Sequence, residues 1–338
     1  MKILLTTLHS KYSHCSLALP CLAACCREIP RITVVIREWI VNEPRERLLR
    51  LIIAEKADVV AFSCYIWNIE KTLQIVADLR RAAPGTVITL GGPEVSFGTF
   101  ELMHANPAID FVVKGEGEAI FRRLVESLAE SYTNNLSSDQ AFGYEGSGIA
   151  NIENILTVSE SKLAEIPNLF FRNIDDIVSG PLTRGYLQLD DITSPFAGGL
   201  VDLKRALVYY ESSRGCPFSC AFCLSSTEGE VRSFSMERIR EDLLFLMNRR
   251  VTQIKLVDRT FNYDAKRAGL IWEFILEHNI SSHFHFEIAA DLLTEDNLSL
   301  LRRVPEKTFR FEIGVQSTSE ATLRKVRRIG SLANILPM

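Results

Sequence analysis

Three cysteines stand close together at Cys216, Cys220 and Cys223, spaced C-x3-C-x2-C in the run Ser213-Arg214-Gly215-Cys216-Pro217-Phe218-Ser219-Cys220-Ala221-Phe222-Cys223. No further cysteine follows downstream. Thiolates are the usual ligands of iron–sulfur clusters, and a cubane cluster holds four irons. Three ligands leave one iron open, and an open coordination position marks a catalytic rather than a structural metal. Two other readings stand beside this one. A structural zinc site normally takes four protein ligands, and buried cysteines also serve as small hydrophobic residues.

The loop needs strands and helices to hold it. Leu207–Glu211 reads as a strand directly before it. Ser235–Arg249 is an amphipathic helical pattern, Gln253–Val257 a second strand, and Ala265–His278 a second helix. His283–Ile288, a short helix at Leu298–Arg303, Thr308–Gly314 and a helix at Ser319–Arg328 continue the alternation. Repeated βα units of this length point to a TIM-like barrel, with its chemistry at the carboxyl ends of the strands. Polar residues follow the strands at those ends: Asp258 and Arg259, then Glu287 and Asp291, then Glu312, Gln316 and Ser317.

Residues 1–130 carry an earlier αβ alternation. Lys2–Thr6, Ile32–Ile36, Asp58–Ser63, Thr86–Leu90 and Asp110–Lys114 read as strands. Helical patterns lie at Ser16–Glu28, Arg45–Glu55, Ile69–Ala83, Phe97–Ala105 and Glu118–Ser131. This predicts a doubly wound parallel sheet of Rossmann or flavodoxin type, with ligands beyond the carboxyl ends of its strands. The tips there are Thr6-Thr7-Leu8-His9, Ser63-Cys64-Tyr65, Gly91-Gly92-Pro93-Glu94 and Gly115-Glu116-Gly117-Glu118. Small residues let backbone approach a large ligand. No GxGxxG or P-loop pattern occurs, which weakens a flavin or nucleotide reading, and the glycine pair is also compatible with a plain turn.

The chain has 338 residues, a length that suggests two domains, and 47% apolar residues, enough for a core in each. A net charge of −4 argues against nucleic acid as a partner. No apolar run is long enough to span a bilayer, and Met1–Thr7 has no signal-peptide character. Eight cysteines without export signals imply reduced thiols in a cytoplasm, that of an anaerobe. Cys21, Cys25 and Cys26 fall on the first helix, with Cys15 just before it; they read as packing residues, with a metal pair at Cys21 and Cys25 as the alternative. Residues 131–206, rich at first in Ser, Asn, Asp and Gly, form a linker with a small hairpin around Asn173–Asp176.

The cysteine triad with Phe222 before its last member resembles the radical S-adenosylmethionine (SAM) superfamily. That resemblance implies that amino and carboxylate groups of SAM chelate the open iron, and that an electron from the cluster cleaves SAM to methionine and a 5′-deoxyadenosyl radical. It places SAM against Phe222, Asp258, Glu312, Gln316 and Ser317: Phe222 near the adenine, Asp258 at the methionine amino group, the last three at ribose and carboxylate. Arg310 and Glu312 read equally as outward partners on an alternating strand. An electron donor, flavodoxin or ferredoxin, is implied.

The phrases Leu90-Gly91-Gly92-Pro93-Glu94 and Lys114-Gly115-Glu116-Gly117-Glu118 resemble strand tips of the cobalamin-binding domain in cobalamin-dependent radical SAM enzymes. The opening Thr7-Leu8-His9-Ser10-Lys11-Tyr12-Ser13-His14 is similar to one uncharacterised subfamily. The resemblance implies cobalamin contacts at Thr6, Leu8, Ser63, Cys64, Gly91, Gly92, Glu94, Gly115, Glu116, Gly117 and Glu118. The Asp-x-His-x-x-Gly motif that supplies a cobalt-ligating histidine in other cobalamin domains is absent, so cobalamin is expected without histidine ligation. The implied function is methyl transfer from methylcobalamin to an unactivated carbon of a small or lipid-like substrate; a radical cyclisation and an inactive corrinoid-binding fragment are the alternatives. The family barrel has six βα units, and residues 207–338 hold four, so the sequence is expected to be a C-terminally truncated member of doubtful activity.

Overall fold

A computed structural model describes residues 1–141, 159–174, 176–183, 187–227 and 230–328. Two compact units divide the chain at Gln188 and Leu189.

The first unit is built on β1 (Lys2–His9), β2 (Thr33–Ile40), β3 (Val59–Ser63), β4 (Val87–Gly91) and β5 (Phe111–Val113). These strands run parallel in the order β2-β1-β3-β4-β5. Between them lie α1 (Ala18–Cys25), α2 (Arg45–Ala54), α3 (Ile69–Ala82) and α4 (Thr99–Ala105), followed by α5 (Glu118–Ala141). Near-continuous apolar strands suit a sheet covered on both faces. Leu4, Val60, Ile88 and Val112 are at or below 2% exposure and meet Leu48, Ile52, Ile75 and Leu79 of α2 and α3. The register sets Ser63 level with Gly91 and Gly91 level with Val113, so three tips end together.

Several elements differ from the sequence-based expectation. β1 and β2 run on to His9 and Ile40, so Thr7–His9, expected as a tip, lie within the strand. α5 continues to Ala141, through polar residues expected to open a linker, because no glycine or proline intervenes before Gly143. The expected hairpin, here β6 (Leu169–Asn173) and β7 (Asp176–Ser179), extends the first sheet as two antiparallel strands after a short α6 (Glu160–Ala164). It covers the exposed edge of β5 and buries Leu169, Phe170 and Phe171.

The second unit holds β8 (Leu207–Tyr210), a two-stranded ribbon of β9 (Ser213–Arg214) and β10 (Arg232–Ser233), α7 (Met236–Asn248), β11 (Gln253–Leu256), α8 (Ala265–His278), β12 (His283–Ile288), α9 (Glu295–Leu301), β13 (Phe309–Ile313) and α10 (Glu320–Lys325). Among the described residues, β8, β11, β12 and β13 form a parallel sheet in that order. Each strand is followed by a helix, the repeating unit of a βα barrel. Trp272 of α8 is fully buried against Phe261, Phe286 and Phe311. The other face of these strands is polar. Lys255 lies 2.9 Å from Glu287 and 3.5 Å from Glu312, and His285 Nε2 lies 3.3 Å from Glu312.

Candidate functional site

The tips of the first sheet are tied by neutral side chains. Asn68 is 1% exposed and joins two of them. Its Nδ2 donates to Leu8 O at 3.0 Å, Ser63 O at 3.2 Å and Thr7 Oγ1 at 3.2 Å, while Oδ1 accepts from Tyr65 N at 2.8 Å. Thr7 Oγ1 donates to Ser63 O at 2.8 Å. Ser96 joins the other two: its hydroxyl donates to Gly92 O at 2.8 Å and accepts from Gly115 N at 3.2 Å. Sequence reasoning missed both residues. Their signal is a polar side chain capable of both donating and accepting, a few positions beyond a strand tip.

Gly92 is the closest approach. Its φ is +106°, and a Cβ there would lie 2.5 Å from Cys64 O and 2.9 Å from Cys64 N. Cys64 N donates to Gly91 O at 2.7 Å. Thr6, Leu8 and Cys64 are buried, so their side chains face the core and only their backbone borders the tips. Burial pushes the Cys64 thiol pKa well up; it behaves as a packing residue. Burial likewise pushes the Cys26 thiol up to about 12, with neighbouring Cys25 adding to the shift. Ser63 and Glu118 are also buried, whereas Glu94 and Gly115 are exposed. Gly117 faces Leu22, whose Cδ2 would lie 3.1 Å from an added Cβ. Beside the tips, Tyr12, Ile66, Trp67 and Phe97 expose apolar surface, with Trp67 stacked on Tyr65 at 4.5 Å. His9 is buried, and its Nε2 lies 3.0 Å from Glu38 Oε1, which also accepts from Ser16 N at 2.6 Å.

In the second unit, the cysteine loop leaves β9 through Gly215, whose φ is +93° and whose added Cβ would lie 2.6 Å from Glu230 O. Cys220 is 6% exposed; Cys216 and Cys223 are partly exposed, and all three are free thiols. Cys223 N donates to Cys220 O at 3.1 Å, turning the loop tightly. Among the described residues, no three Cys, His, Asp or Glu side chains form a ready metal-binding group; the three thiols share one loop without having converged. Phe222 is 58% exposed. Arg328 lies over the Phe218 ring at 3.9 Å, and Ala221 N donates to Val326 O at 2.9 Å.

The strand tips beyond the loop divide into two kinds. Glu312 and Gln316 are exposed and Ser317 is partly so, at the end of β13. Asp258, assigned from sequence to the methionine amino group, has no exposed surface. Its oxygens accept from Ser212 N at 3.1 Å, from Ser212 Oγ at 2.6 Å and from Ser213 Oγ. Burial raises its pKa, opposed by those hydroxyls and by Arg267.

Residues 3–125 match the family model of the B12 binding domain, and residues 210–337 that of the radical SAM superfamily. The chain joins a B12-binding domain to a radical SAM domain. These domains imply cobalamin, and a 4Fe–4S cluster with SAM, as cofactors. The donor sets fit them: three unpaired thiols on one loop for the cluster, and a glycine-lined sheet end with an apolar rim for a corrinoid. Among curated proteins, the chain is 25% identical over 215 residues to the cobalamin-dependent radical SAM methyltransferase TokK of Streptomyces tokunonensis, covering 60% of this chain and 28% of that protein. It is 26% identical over 297 residues to hopanoid C-3 methylase of Methylococcus capsulatus, covering 86% of this chain and 51% of that one. Among solved structures, the cobalamin-dependent radical SAM enzyme OxsB, with aqua-cobalamin and SAM bound, superposes with a TM-score of 0.74 at 16% identity, covering 98% of this chain and 46% of that chain. TsrM of Kitasatospora setae, a radical SAM methyltransferase, gives 0.68 at 14%, covering 99% and 64%. The chain thus spans about a quarter to a half of the curated relatives it matches. No helix among the described residues is long and apolar enough to cross a membrane.

Proposed function

We propose that this chain carries the cofactor chemistry of a cobalamin-dependent radical SAM methyltransferase acting on an unactivated carbon. The observation that carries the reading is the union, in one chain, of a B12-binding domain and a radical SAM domain whose loop presents three free thiols. When bound, the cluster and SAM supply a radical that abstracts hydrogen, and the corrinoid supplies the methyl group. Cys216, Cys220 and Cys223 would hold the cluster; no further cysteine follows them in this sequence. Glu312, Gln316 and Ser317 hydrogen-bond the polar ends of SAM, and exposed Phe222 stacks near its base. Asn68 and Ser96 hold four strand tips level for the corrinoid. Gly92 lets backbone, rather than a side chain, border it. His9 is engaged by Glu38, which supports cobalt without a histidine ligand. A small electron carrier of flavodoxin or ferredoxin type would supply the electron.

The test uses the whole chain, reconstituted anaerobically with iron, sulfide and hydroxocobalamin. Cys220→Ala loses the cluster and retains the corrinoid through desalting. Electron paramagnetic resonance of the Co(II) form lacks nitrogen superhyperfine splitting. An intact cluster in Cys220→Ala, tight tetrahedral zinc in the parent, or no retained corrinoid contradicts the reading.

A further inference from the structure

Asp258 and Arg267 are both at or below 9% exposure, directly beneath the residues that open the cysteine loop. Ser212 stands between them. Its Oγ donates to Asp258 Oδ1 at 2.6 Å and accepts from Arg267 Nη2 at 2.8 Å, and its carbonyl accepts from the same Nη2 at 2.8 Å. Ser213 adds a second hydroxyl on Asp258. Arg267 is itself fixed. Its backbone N–H donates to the α8 cap Asp264 at 2.9 Å, and its guanidinium lies against the Phe261 and Tyr263 rings. Two residues after Asp258, Thr260 Oγ1 lies 3.6 Å from Cys216 Sγ. The β11 tip therefore holds the loop at Ser212–Ser213, ahead of its first cysteine, and again at that cysteine.

Stability alone is a weak reason for this arrangement, because desolvating a buried carboxylate and guanidinium commonly offsets what their hydrogen bonds and mutual attraction contribute. Ligand contact does not account for it, since the Asp258 carboxylate is sealed. Groups that hydrogen-bond metal ligands orient them and tune the metal; here Thr260 touches Cys216 directly, and Asp258 and Arg267 act one step back, on the backbone that leads into the loop. We infer that Asp258 and Arg267, acting through Ser212 and Ser213, are positioning residues that preset the Arg214–Cys216 backbone for cluster binding. The inference rests on the cluster reading above.

The experiment compares the parent with Asp258→Asn/Arg267→Met, which removes both charges together, and with Ser212→Ala, which removes only the bridging hydroxyl. Circular dichroism establishes folding. Three readouts follow: cluster loss to a chelator, the resonance line shape of the reduced cluster, and iodoacetamide alkylation of Cys216 in the apoprotein, with buried Cys64 as the internal control. The expected result is a cluster held about tenfold less tightly, a shifted line shape, and faster alkylation of Cys216 but not of Cys64. Should the double variant not fold, Ser212→Ala carries the comparison. A folded variant with parental chelator resistance, line shape and alkylation overturns the inference. A parent that binds no cluster overturns the cluster reading instead, and the apoprotein alkylation rates then decide the positioning role alone.

Discussion

Helices begin differently in the two units. In the second, every helix after a strand is opened by a side chain: Ser235, Asp264, Thr294 and Ser319 each accept from a backbone N–H of the first turn, and Thr294 forms a full capping box with Asn297. In the first, α2, α3 and α4 start at Pro44, Asn68 and Gly98 with no side-chain cap, whereas Ser16 Oγ accepts from Leu19 N at 3.1 Å at the start of α1. Asn68 is a good capping residue, yet it turns to the sheet and joins two strand tips. The second unit thus satisfies its own helix ends and places buried charge beneath its loop. The first leaves first-turn N–H groups and glycine backbone at the end where a large ligand is expected. A capped, charge-braced frame beneath the cysteine loop and helix starts left open at the first sheet's end are different ways to build the ends of two αβ units.

If that contrast is right, ligand should stabilise the two units unequally. Hydroxocobalamin at a hundredfold excess over its Kd should slow hydrogen exchange in residues 1–125 by up to about 2.7 kcal/mol of added protection. Peptides of residues 210–328 should be unaffected; equal protection in both breaks the comparison. Next in size is Gly92→Ala. Its positive φ and the 2.5 Å approach to Cys64 O should cost about 1–3 kcal/mol in chemical denaturation and abolish corrinoid retention. Gly115→Ala, with a φ of +81° and nothing within 4 Å of its Cβ, should cost less. Thr294→Ala should remove about 1 kcal/mol from the second unit.

The smallest effect is one of pH. Burial, with Lys255 assisting, lowers the His285 pKa, against the pull of Glu312 and Glu287. A folded pKa below the unfolded one means a contribution present above the ordinary histidine range and lost as pH falls through the folded value. His285→Gln should flatten the acid limb of stability as pH falls below the ordinary histidine range, near about pH 6.5. A steeper limb in the variant would reverse the sign.

Much of this architecture was legible in the sequence. Val- and Ile-rich runs marked the strands of the first sheet, alternating apolar and polar residues those of the second, and the C-x3-C-x2-C spacing marked the loop before any fold was known. Less legible was anything set by pairing at a distance. The β6–β7 hairpin read as part of the linker, not as part of the first sheet, because nothing local says that β5 needs an edge partner. α5 read as ending at Ser131 because Ser and Asn favour loops, although nothing there stops a helix. Asp258 was singled out for its place after a strand. Its actual surroundings depend on Ser212, 46 residues earlier, a contact no local pattern carries.

The central claim is that three thiols hold a cluster with one iron left for SAM. The direct measurement is electron paramagnetic resonance of the anaerobically reconstituted, reduced chain, recorded without and with SAM. The account predicts a single 4Fe–4S signal that changes shape when SAM is added and is missing from Cys220→Ala. A signal that SAM leaves unchanged, or one that survives the loss of Cys220, would contradict it.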